Sequence, residues 1–214
     1  MSRSTSRLRR ARLGGLSFAA ALLASGTASA HHAMDYEMPQ TFFQGLLSGF
    51  GHPIIGPDHL AFILAIGLIG TLFARGYLLP LVFVGGTLAG CGIHLLSWDL
   101  PVVEPVVSAT VVLAGALLAL YRSIDIRIFA AITAFAGLFH GYAYGESIVG
   151  AESTPLLAYL IGFAVIQSLI ALAAFGLGRL LLAKQATAAV GGLRVFGGLI
   201  AAAGVYFFAS TLIA

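Results

Sequence analysis

The sequence predicts an all-α, polytopic membrane protein: a bundle of six transmembrane helices, the first broken by proline, behind a cleavable signal peptide. Three observations carry this expectation. Of 214 residues 59% are hydrophobic and only 9% charged, against about 25% charged in a soluble domain, which excludes an ordinary water-soluble enzyme and an intrinsically disordered chain. Apolar stretches close to the length that crosses a bilayer, about 20 residues, recur along the chain. The few basic residues outside the N-terminus fall in or at the edges of alternate loops only.

The N-terminal element is an address. Arg3, Arg7, Arg9, Arg10 and Arg12 precede an apolar run from Leu13 to Leu23, and small residues follow, ending Ala28-Ser29-Ala30. Basic, then apolar, then A-x-A is the order of a secretory signal peptide, with cleavage expected after Ala30; Arg9-Arg10 lacks the surroundings of a twin-arginine signal. Removing these five arginines turns the formal charge of +3 into −2. The pI near 9.3 therefore belongs to the label and marks no nucleic-acid partner. Residues 1–30 are the signal, and 31–214 are one transmembrane domain in contact with the lipid bilayer.

Hydropathy places six spans in that domain, at 41–73, 77–98, 102–121, 127–149, 155–182 and 190–213. The first is too long for one straight helix and contains His52-Pro53 and Pro57-Asp58. Proline removes a backbone donor and disfavours helix in the residue before it. The expectation is a short amphipathic or partly re-entrant piece over 41–51, a broken turn, and a full helix from about 57 to 73. Such a break is tolerated in lipid only where protein or a water-filled cavity satisfies the freed backbone groups.

Loop charge tests the count independently. With the mature N-terminus outside, six spans put Arg75, Arg122, Arg127, Arg179, Lys184 and Arg194 on the cytoplasmic side, and Asp35, Glu37, Asp99 and Glu152 opposite them. This obeys the positive-inside rule, which a seventh span would break. Both mature termini are then periplasmic. Gly45-x-x-x-Gly49, Gly86-x-x-x-Gly90, Gly191-Gly192 and Gly197-Gly198 read as faces for close helix packing. No internal repeat stands out, and an inverted three-plus-three arrangement stays open.

An ionisable residue in mid-membrane costs about 2.5 to 3.5 kcal/mol on insertion scales and is by default a functional-site hypothesis. Several fall near the outer face: His52, Asp58 and His59 in the first span, His94 and Cys91 in the second, Glu104 at the start of the third, His140 and Glu146 in the fourth. Imidazole and carboxylate together suit divalent first-row metals. Asp58 could ligate or orient an imidazole, and a single membrane histidine could equally serve helix packing. Cys91, the one cysteine, has no disulfide partner; it is either a small buried thiol or a ligand beside His94. Glu104 is either a solvated carboxylate at a helix start or part of a pathway. Glu146 needs a bend at Gly141 or Gly145 to share a site with His140. His31 and His32 are either weak metal captors or a tail without a role.

The stretch His52-Pro53-x-x-Gly56-x-Asp58-His59, directly after a signal peptide, resembles the signature of the HupE/UreJ proteins, hydrogenase- and urease-associated nickel or cobalt permeases of bacteria. Phe139-His140-Gly141-Tyr142-Ala143-Tyr144-Gly145-Glu146 is similar to that family's H-G-x-A-x-G-x-E element, and Glu104 followed by Ser108 to its third-span acidic position. The resemblance implies a metal pathway through His52, Asp58, His59, Glu104, His140 and Glu146, with Phe83 at a second-span aromatic position. Many members have histidine where this chain has Tyr142 and Tyr144, so nickel and cobalt both stay open.

The function expected is import of Ni(II) or Co(II) across the bacterial inner membrane for metalloenzyme or cobalamin maturation. The ion is substrate, with no tightly bound cofactor and no enzymatic activity expected; no phosphate-binding loop is present. Homo-oligomers and maturation proteins are the open protein partners. Two rivals stand beside this. In an intramembrane hydrolase, His52, His59 and His140 would hold zinc and Asp58 or Glu146 would act as base. The other is a membrane metallochaperone that transports nothing.

Overall fold

The computed structural model describes residues 38–213. The signal peptide, its cleavage site, His31, His32, Asp35 and Glu37 lie outside the described residues. Within them the chain is all helix: α1 (Phe42–Ile55), α2 (Pro57–Gly70), α3 (Leu78–Leu95), α4 (Val103–Leu120), α5 (Ile126–Glu146) and α6 (Ser153–Thr211). By length and composition α3, α4, α5 and α6 can each cross a membrane, and α1 with α2 can do so as one bent span.

A capping box starts α1. Thr41 Oγ1 accepts from the Gln44 N–H, and Gln44 Oε1 accepts in return from the Thr41 N–H. The helix then runs through His52-Pro53, where the sequence predicts a broken turn. Pro53 lies two residues from the helix end, so its missing N–H removes one late bond and not a ladder. The break is confined to Gly56 (φ −74°, ψ 104°), whose N–H still reaches the His52 carbonyl at 3.1 Å. Pro57 then opens α2, its fixed φ suited to the first helical position. The two helices meet at 79°.

The last element also differs from expectation. Where a loop is predicted between 182 and 190, helix continues over 59 residues, about 88 Å at 1.5 Å per residue, nearly three times a hydrocarbon core of about 30 Å. Its interruption is a single residue, Gln185 (φ −149°, ψ 70°). Lys184, Ala186, Ala188 and Ala189 are good helix formers, so helix runs up to the break from both sides. Two arms result, 153–184 and 186–211.

Three seams hold the bundle, each made where a missing Cβ lets backbones touch. Gly45 and Gly49 of α1 lie on the backbone of Pro155 and Tyr159, and Gly67 of α2 on Ala171. Residue numbers rise together, so the bent pair runs parallel to the first arm of α6. Gly86 and Gly90 of α3 meet Ala134 and Leu138 of α5, while Gly141 of α5 meets Thr87; this seam is also parallel. Gly115 of α4 meets Ala201, Gly204 meets Val112, and Gly197 meets Ala119, an antiparallel seam with the second arm. The two spaced pairs Gly45/Gly49 and Gly86/Gly90 thus pack as expected, whereas of the adjacent pairs Gly191-Gly192 and Gly197-Gly198 only Gly197 does so; Gly191, Gly192 and Gly198 face open space.

The main core joins Phe62, Ile66, Ile69, Phe83, Leu118 and Phe129 with Leu193 and Ile200 of the second arm. Outward, Leu157, Leu169, Leu177, Val195 and Val205 are exposed. Such an apolar exterior is a liability in water and ordinary in lipid.

Candidate functional site

The helix break brings the histidines of the first motif to one place. His52 ends α1, His59 begins α2, and the 79° bend leaves their rings 6.1 Å apart between centroids. From α5, His140 reaches the same point: its Nδ1 lies 2.8 Å from His59 Nδ1. His140 is fully buried, and the other two are nearly so. Three imidazoles from three helices thus form a line, His52, His59, His140.

Aromatic rings wall this line. Phe62 of α2 and Phe83 of α3 lie against His140, at 4.5 and 5.6 Å between centroids. Tyr144, one turn after His140 and so on the same face of α5, covers His59 at 4.3 Å and His52 at 5.0 Å. Its hydroxyl is buried without a hydrogen-bond partner. Half-buried Asp58 accepts from the His59 N–H at 2.9 Å.

Hydroxyls hold the outer two rings. His52 Nδ1 lies 3.0 Å from Ser147 Oγ and 3.2 Å from Tyr159 Oη. Ser147 and Tyr159 are 3.0 Å from each other, and Tyr159 donates to the Tyr144 carbonyl at 2.9 Å. At the other end, Thr110 of α4 stands 3.0 Å from His140 Nε2. None of these three residues is singled out by the sequence. Their signal was weak, since helical Ser and Thr ordinarily bond back to a carbonyl three or four residues earlier.

The remaining candidates lie elsewhere. Glu104 and Glu146 are exposed. His94 packs on Tyr142 at 4.3 Å and fills the space left by Gly145, its Nδ1 buried and without a partner. Cys91 is a free buried thiol in a second cluster with Ile148, Tyr159 and Phe163. Among the described residues, no three His, Cys, Asp or Glu side chains converge closely enough to enclose an ion.

The histidine pair has its own chemistry. Two nitrogens bound to a first-row ion at about 2.0 to 2.1 Å and at right angles stand about 2.8 to 3.0 Å apart, so the 2.8 Å separation suits adjacent ligation. Without an ion, one imidazole N–H donates to the other nitrogen.

The model of the HupE / UreJ protein family matches residues 19–207. "Protein HupE" of Rhizobium leguminosarum bv. viciae is 28% identical over 162 residues, covering 75% of this chain and 82% of that protein. No solved structure matches the chain.

Proposed function

The chain belongs to the HupE/UreJ family, and from that premise we propose that it is a permease carrying Ni(II) or Co(II) inward across the bacterial inner membrane, and no enzyme. The observation that carries the reading is the His59–His140 nitrogen pair at 2.8 Å, a spacing suited to two adjacent ligands on one ion. His52 and Asp58 stand next along the line, and Glu104, Glu146 and His94 serve its approaches. Two nitrogens with a nearby carboxylate bind moderately, as transit requires; a complete ligand shell would trap the ion.

Six spans follow from dividing α6 at Gln185 and counting α1 with α2 as one. The seam directions support that count. In an alternating bundle the first and fifth spans run parallel, as do the second and fourth, whereas the third and sixth run antiparallel; these are the directions of the three glycine seams. The mature termini are periplasmic, and the basic loops face the cytoplasm. An inside-negative potential supplies about 2.3 kcal/mol per charge per 100 mV, or about 4.6 for a divalent ion, enough for more than a thousandfold accumulation.

Uptake of radioactive nickel and cobalt, in competition, by cells with and without the protein tests the reading. Expression should raise uptake of one ion well above background, and His59→Ala or His140→Ala should return it to background. Equal uptake in both cell types would sink the proposal, and firmly retained zinc in the purified protein would then point to a hydrolase.

A further inference from the structure

We propose that Thr110 is a positioning residue that sets the tautomer of His140 and thereby presents its bare Nδ1 to His59. The relevance to transport rests on the permease reading; the tautomer itself does not. Thr110 is buried on α4, and its Oγ1 has two polar neighbours: the Val107 carbonyl at 2.6 Å and His140 Nε2 at 3.0 Å.

A hydroxyl has one proton to give. A carbonyl can only accept, so the short contact to Val107 takes that proton, and Oγ1 is left to accept from the ring. His140 must then carry its hydrogen on Nε2, which leaves the Nδ1 lone pair directed at His59 Nδ1, 2.8 Å away. The opposite tautomer would need the Thr110 proton turned toward Nε2, stripping the Val107 contact of its hydrogen. Around the rest of the ring lie Phe62 and Phe83, which hold its plane but cannot choose between its nitrogens.

Thr110 therefore does for an imidazole what outer partners do for metal-binding histidines generally: it fixes which nitrogen is available, and losing such a partner typically costs 10- to 100-fold in affinity. Thr110→Val keeps the shape and removes the hydroxyl. Thr110→Ser keeps the hydroxyl.

Two measurements decide. In purified protein labelled with ¹⁵N-histidine, the His140 signals, assigned by their loss in His140→Gln, should show a protonated Nε2 and a bare Nδ1 in the wild type and in Thr110→Ser, and a mixture in Thr110→Val. In uptake, Thr110→Val should raise the metal concentration at half-maximal rate roughly 10- to 100-fold, with Thr110→Ser close to wild type. A wild-type His140 protonated on Nδ1 overturns the proposal, as does a Thr110→Val protein with unchanged tautomer and unchanged half-maximal concentration. Should Thr110→Val fail to fold, the wild-type and Thr110→Ser spectra still decide it. Absence of uptake in the wild type would remove the permease reading and leave the tautomer result standing.

Discussion

Tyr144 and Tyr159 make opposite demands on the same group. Both are fully buried, but the Tyr159 hydroxyl donates to the Tyr144 carbonyl and meets Ser147 and His52, whereas the Tyr144 hydroxyl has no partner. An unmade buried hydrogen bond costs about 1 to 3 kcal/mol. Tyr144→Phe should accordingly raise the melting temperature in detergent, and Tyr159→Phe should lower it by a similar free energy. A fall in both, read by thermal unfolding, would contradict this geometry. The stability gained at Tyr144 should come with reduced uptake, because the lost hydroxyl is a buried, unpartnered polar atom on the ring that lies against His52 and His59. In the sequence His52, His59 and His140 stand out because their chemistry is rare in apolar spans. Thr110, Ser147 and Tyr159 do not, because a hydroxyl becomes informative only once its neighbours in space are known.

Helices carry the next level of specificity through what their glycines touch. Gly85 and Gly90 both lie in α3; a Cβ at Gly90 would strike the Leu138 and Tyr142 backbone, while one at Gly85 would meet nothing. Gly90→Ala should force α3 from α5 and lower folded yield and uptake. Gly85→Ala should be neutral or stabilising by up to about 1 kcal/mol, the helix-propensity difference. Equal effects, measured by size-exclusion profile and unfolding temperature, would argue against the α3–α5 seam. Hydropathy located most of these helices within a few residues, since apolar length is a strong signal. It could not place the break of the first span at Gly56 or reduce the last loop to Gln185, since both depend on how far helix persists against proline or beside good helix formers. Nor could spacing separate Gly197, which packs, from Gly198, which does not; adjacent positions differ by about 100° around a helix.

For the whole molecule, the proposed orientation makes a plain prediction. Single cysteines at 99 and 152 should react with a membrane-impermeant thiol reagent in intact spheroplasts, and cysteines at 75, 122 and 184 should react only after lysis; native Cys91 is buried and should stay silent. Labelling of position 184 from outside would break the six-span count. The directions of the three seams carry a further consequence. Exchange the bent pair α1–α2 with α5, α3 with the first arm of α6, and α4 with the second arm. The first parallel seam becomes the second, and the antiparallel seam returns to itself. Such a pattern is invariant to a pseudo-twofold rotation about a line in the membrane plane, which turns one half of the chain upside down onto the other. Under the proposed six-span count, His59 and His140 then sit on two helices that exchange with each other, so their contact is the one that the exchange returns to itself.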